Sequence, residues 1–124
     1  MTGEEIAGPG LRTFFRICEK WQLAPRHQHL ILGSPDMEAL ESWRGGQYDN
    51  VPGDVIIRIS YVLGIYEALH AIFHDSRNAD GWVTSPNDAP LFAGRRAIDV
   101  MIDEGVGGLA SVRKYLDAQA AGWS

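Results

Sequence analysis

Residues 52–73 constrain the fold more than any other part of this chain. Val55, Ile59, Val62, Tyr66, Leu69 and Phe73 alternate spacings of four and three, and Ile56, Leu63 and Ile72 widen the stripe. That spacing belongs to one helix face, and the extra apolar flank means burial on more than one side. Val55 through Val62 are β-prone by residue type, but the apolar spacing runs on unbroken to Phe73 as a helix. Such a helix spans roughly 33 Å. It is long enough to connect two small helical subdomains and still present a face to a second copy of the chain. Gly64 interrupts it at about 1 kcal/mol relative to alanine, and a close helix crossing would explain that glycine. An all-α fold is expected. A homodimer is expected with it, because a chain of 124 residues has too little surface of its own to cover both flanks.

The other segments fit this frame. Residues 1–10 hold Thr, Gly, Glu and Pro with little apolar content, and predict a flexible tail. Leu11, Phe14, Phe15, Cys18 and Trp21 then recur at helical spacing, giving a first helix that ends near Leu23. Pro25 suits the first turn of a second helix over 25–32, where its missing amide had no partner to lose. Gly33 stops it. Ser34 is the expected cap of a third helix, with Pro35 and Asp36 in its first turn, running to Arg44 before Gly45-Gly46. Two short helices joined in this way form a helix-turn-helix outline. Beyond the long helix, His74 to Asn78 read as a turn and Trp82 lies in a short helix. Residues 85–90 form a loop. Ile98, Met101 and Ile102 mark a further helix, Gly105-Val106-Gly107-Gly108 an interhelical turn, and Leu109, Val112, Leu116 and Ala120 the last helix. The expected organisation is a tail (1–10), a helix-turn-helix-like subdomain (11–57), and a compact helical C-terminal subdomain (58–124).

The chemistry of the side chains argues against catalysis. His27 and His29 face different sides of a helix. His70 and His74 are four apart, with Asp75 near, but no third ligand stands at a recognisable spacing and the HExxH pattern is absent. Neither a metal nor a cofactor is expected. Asp99, Asp103 and Glu104 read as a solvated face. The glycine run at 105–108 follows no strand, so it is no phosphate loop, and no Ser or Thr has neighbours that would activate it. The single cysteine, Cys18, shares an apolar face with Phe14 and Trp21 and predicts a buried structural thiol. With no apolar run of about 18 residues and no basic-then-apolar leader, a cytoplasmic protein with no membrane partner is expected.

The last third carries a different composition. Arg113 and Lys114 project cations beside Tyr115, while Leu109, Val112 and Leu116 anchor their helix. Residues 118–124 are rich in small side chains and include Trp123. Arg, Tyr and Trp beside an apolar stripe suit a surface that holds another protein. The residues here also form an ordered series: Trp82, Ser85-Pro86-Asn87, Leu91-Phe92, Gly94-Arg95, Ala97-Ile98-Asp99-Val100-Met101, Glu104-Gly105, Gly108-Leu109 and Val112-Arg113-Lys114-Tyr115-Leu116-Asp117. Over 58–123, about half the chain, this series resembles the toxin-binding domain of the Xre/MbcA/ParS antitoxins. Such antitoxins pair with RES-domain toxins, which are similar to ADP-ribosyltransferases and destroy NAD. The resemblance implies the antitoxin of a type II toxin–antitoxin pair and not an enzyme. It also implies that Arg113, Lys114, Tyr115 and Trp123 lie in or beside the toxin's NAD cleft.

Ser42-Trp43-Arg44-Gly45-Gly46 likewise resembles the end of the recognition helix in the Xre-like N-terminal domain of these antitoxins, which implies repression of the chain's own operon. Here the sequence departs from the family. Asp36, Glu38 and Glu41 occupy positions where Xre-like domains usually place polar or basic residues, and carboxylates there repel phosphates. Arg12, Arg26 and Arg44, with Arg16 and Lys20, remain for the DNA backbone. Given the formal charge of −5, weak and salt-sensitive binding to operator DNA is expected. The alternative is a dimeric helix-turn-helix transcription regulator without a toxin partner.

Overall fold

A computed structural model describes residues 3–33 and 35–122. Among them are seven helices and no strand: α1 (Gly3–Lys20), α2 (Pro25–Ile31), α3 (Met37–Arg44), α4 (Gly53–Ile72), α5 (Ser76–Gly81), α6 (Ala97–Asp103) and α7 (Gly105–Gly122). The all-α expectation holds. The chain divides into two compact units, Met1–Leu63 and Gly64–Ser124, so that α4 contributes its first half to one and its second half to the other.

In the first unit, Leu11, Phe14, Ile17, Cys18 and Trp21 of α1 form one wall of the core, with Ile31, Leu32, Leu40, Trp43, Val55, Ile59 and Val62 also buried. Burial pushes the Cys18 thiol up to about 12, against the opposing charge of Arg44, which makes it an unreactive structural thiol. The helix starts earlier than the periodicity indicated. Where a tail was expected, α1 begins at Gly3, because Ala7 is buried and Gly8 lies against the Tyr48 ring. A polar side chain closes the interior: Gln28, almost fully buried, donates from Nε2 to the Leu23 carbonyl at 2.9 Å and accepts from Arg44 at 2.6 Å.

The turn between α2 and α3 differs in one detail from expectation. Its cap is Asp36, whose carboxylate accepts from the Glu38 amide at 3.2 Å; Ser34, the expected cap, lies outside the described residues. Gly33 has a φ of +87°, and a Cβ there would meet Arg58 Nε at 2.9 Å. Arg58 is held in that place by Asp54 at 2.8 Å and by the Ile31 carbonyl at 3.4 Å.

Contrary to the expectation that no such run exists, α4 is long and apolar enough to cross a membrane by length and composition, with a third of its apolar window buried. Val55, Ile59, Val62, Ile65, Ala68 and Leu69 are its core side chains. Ile57 stays 52% exposed.

In the second unit α6 and α7 pack closely. The Gly-rich run read as a turn is in fact the first turn of α7. A Cβ on Gly108 would collide with the Val100 carbonyl oxygen and come within 2.9 Å of Glu104 Cβ. Only glycine allows the start of α7 to rest on the end of α6. The crossing expected at Gly64 is also corrected. An arginine fills that place: a Cβ on Gly64 would lie 2.5 Å from Arg113 Cζ.

Candidate functional site

The segment between α5 and α6 is irregular in outline but tied at each end. Ser85 Oγ donates to the Gly81 carbonyl at 2.8 Å. The Asn87 side chain accepts from the Ala89 amide at 2.9 Å. The backbone then closes on itself, with Asn87 N–H to the Arg95 carbonyl at 3.1 Å and Gly94 N–H to the Asn87 carbonyl at 2.7 Å. Gly94 supplies the φ of +87° that this closure needs. Arg95 and Arg96 brace it from outside, Arg95 through Glu104 at 3.3 Å and Arg96 through both oxygens of Asp99 at 3.0 and 2.9 Å. The side-chain hydrogen bond from Arg96 holds the Asp99 carboxyl below its ordinary range, against partial burial.

What this closed loop positions is a group of three aromatic rings. Phe92 is fully buried and meets Trp82 edge-on at 5.4 Å and Tyr115 edge-on at 5.3 Å. Trp82 and Tyr115 stack at 6.3 Å and 18°. Edge-on and stacked contacts at these distances are favourable beyond area alone. Trp82 and Tyr115 are half-buried, so each keeps a face toward solvent. Two hollows flank them. One, about 210 Å³, is lined by Ile72, Phe73, Trp82, Tyr115, Leu116 and Gln119. The other, about 360 Å³, is lined by Phe73, Arg77, Asn78, Gly81, Trp82 and Ser85.

The residues singled out for toxin binding fall into different settings. Tyr115 belongs to the aromatic group. Lys114 is exposed on α7. Arg113 lies over Gly64 and pairs with Asp117 at 3.6 Å, its side chain 40% exposed. Trp123 lies outside the described residues. Sequence reasoning did not single out Arg77, Phe73 or Gln119 as site residues. Their signal is tertiary: they come from the ends of three segments and meet only around Trp82. The polar stretch read as a turn, His74 to Asn78, holds the start of α5, where Asp75 caps the Arg77 amide at 2.8 Å. His70 and His74 share no helix face, because α4 ends at Ile72. His70 instead meets Asp80 of α5 at 2.9 Å and stacks on Tyr66 at 4.3 Å.

Residues 68–122, which contain both hollows and the whole aromatic group, match the family described as the antitoxin Xre/MbcA/ParS C-terminal toxin-binding domain. The chain carries an Xre/MbcA/ParS-type antitoxin toxin-binding domain over this stretch. A Sinorhizobium fredii protein described as "Uncharacterized protein y4oB" is 39% identical over 114 residues, covering 90% of this chain and 84% of its own length. No solved structure matches the chain significantly.

The antitoxin's first unit presents a poorer face for nucleic acid. Asp36, Glu38 and Glu41 are all exposed at or near the start of α3. Arg44 is engaged within the unit: it donates to Gln28, lies 4.6 Å over the Phe15 ring and pairs with Glu41 at 3.4 Å. Arg12 sits 5.7 Å over the Tyr48 ring. Arg26 is exposed on α2. The three arginines named for DNA contact thus belong to three different surroundings, and two of them are committed to aromatic rings.

Proposed function

We propose that this antitoxin neutralises a RES-domain, NAD-degrading toxin in the cytoplasm by covering its cleft with the end of α7 and the residues after it, without catalysis of its own. The toxin-binding family of residues 68–122 supports the reading. So does the composition of this helix, where Lys114 and the solvent face of Tyr115 stand beside a rigid aromatic support. Blocking a cleft requires shape and burial, which such a support provides without any reacting group. A homodimer fits the apolar surface of α4 that stays outside the core, Ile57 above all. Repression of its own operon would then rest on weak backbone contacts from a doubled first unit. The regulator without a toxin partner is less favoured, because the carboxylates of α3 face the position where DNA would lie.

The test is co-expression with a RES-domain toxin. A chain truncated after Leu116 should keep its helical circular dichroism and lose protection. Full protection by a well-folded truncation would place the contact elsewhere.

A further inference from the structure

The two hollows beside Trp82 share two walls, and only one of them is lined by a charged side chain. Trp82 and Phe73 line both. On one side the lining is apolar except for Gln119 at its rim, and about 210 Å³ is room for a single aromatic or branched aliphatic side chain. On the other side the lining is also mainly apolar but adds Asn78, Ser85 and one cation, Arg77. Arg77 is 93% exposed, and its one ion pair among the described residues is a loose 3.8 Å contact from Nε to Asp75. The terminal nitrogens of its guanidinium fork therefore face outward, ready for a planar carboxylate.

We propose that the toxin grips this antitoxin at Trp82 as well as at the end of α7. A short toxin segment places an apolar side chain in the smaller hollow and an adjacent Asp or Glu on Arg77 in the larger one. The inference rests on the reading of the chain as an antitoxin and adds a second contact to it. Three observations select this occupant. The hollows lie wholly within the toxin-binding stretch and continue from Tyr115, a residue of the α7 surface. A cation in the hollow that adjoins an apolar one across Trp82 and Phe73 calls for an acid next to an apolar side chain. Finally, the Trp82 ring is held by Phe92 and Tyr115 on its inner side, so a partner meets a surface that is already ordered and loses little rotamer freedom on binding. Centrally placed aromatic and arginine side chains are the kinds that dominate interface energies.

Arg77 and Gln119 are exposed and can be changed without touching the core. Arg77→Glu reverses the charge; Gln119→Trp fills the smaller hollow. Each should be titrated calorimetrically against a purified, catalytically inactive RES-domain toxin that the intact chain neutralises, with helical content checked first. Each change should weaken binding about ten-fold or more, equal to about 1.4 kcal/mol. Arg77→Glu should also flatten the loss of affinity with added salt. Wild-type affinity in both variants, alongside loss of binding on truncation after Leu116, would overturn this groove and leave the antitoxin reading standing. No binding by the intact chain would instead overturn the antitoxin reading. A fall in the mass of the free chain by light scattering in either variant would assign the groove to a second copy, which also overturns the proposal.

Discussion

In the first unit Arg44 bonds to Gln28, covers Phe15 and pairs with Glu41, and Arg58 is locked between Asp54 and the Ile31 carbonyl. In the second, Arg95 and Arg96 brace the loop, but Arg77, in a loose 3.8 Å contact with Asp75, lines the hollow beside Trp82, and Lys114 is exposed on α7. Both units use arginine as structural cement. In the second unit a cation lines a hollow walled by the half-buried Trp82 ring, and there the rigid framework ends in something a partner can grip. That difference separates a unit whose arginines Arg44 and Arg58 are engaged in its own fold from one that also keeps a cation beside an aromatic surface.

Glycine tests the comparison most severely. Gly108 faces the Val100 carbonyl oxygen and the Glu104 Cβ, neither of which can turn aside, whereas Gly10 in α1 would meet only the tip of the Ile59 side chain at 3.3 Å. Gly108→Ala should lower stability by about 3 kcal/mol, the upper end of overpacking effects, and abolish toxin binding with it. Gly10→Ala should fall within about 1 kcal/mol of wild type, because the better helix propensity of alanine offsets a small adjustment. Thermal unfolding of both variants decides the matter. Equal losses would show that the close approach of α7 to α6 carries no special weight.

The same glycine shows where sequence reasoning stops. The helical character of residues 55–69 and the aromatic anchors of α1 were legible, because apolar spacing reports directly on a face that must be buried. The order of motifs from Trp82 to Asp117 was legible as a resemblance. The glycine run at 105–108 was misread as a turn, since glycine is a poor helix former and the reason for Gly108 is a tertiary contact, the Val100 carbonyl of the preceding helix lying against it. The start of α1 was misread for a similar reason: Ala7 is buried and Gly8 lies against Tyr48, about forty residues away. The groove around Trp82 was invisible because its walls come from the ends of α4, α5 and α7.

A second test concerns the acid on α3. Replacing Glu38 and Glu41 together by lysine should tighten non-specific duplex binding about ten-fold and steepen its dependence on salt, by close to 0.9 log unit for each new phosphate contact. Fluorescence anisotropy across a salt series measures both. Light scattering on the same sample should give about twice the 13.7 kDa chain mass; a strict monomer would remove the doubled face. Tight, salt-tolerant and sequence-specific binding by the unaltered chain would erase the contrast between the units, because the first would then be a dedicated binding surface too.

The smallest expected effect is at Asp99. Its carboxyl titrates below the ordinary value of 3.8 because the Arg96 side chain bonds to it. A carboxylate with a depressed folded value stabilises the fold above its unfolded value, and that contribution is lost as pH falls through the folded value. The pair is a surface one, with side-chain exposures of 42% and 34%, so its worth lies within about 0.2–1 kcal/mol and is screened by salt. Asp99→Asn should therefore be less stable than wild type by about 0.5 kcal/mol at neutral pH and low salt. As the medium is acidified below the ordinary carboxylate range, wild type protonates and the gap should close, which paired denaturant titrations can follow. A gap that stays constant into acid would mean that asparagine disturbs the start of α6 by shape alone, and that the Arg96 pair braces the binding unit no more than any neutral contact would.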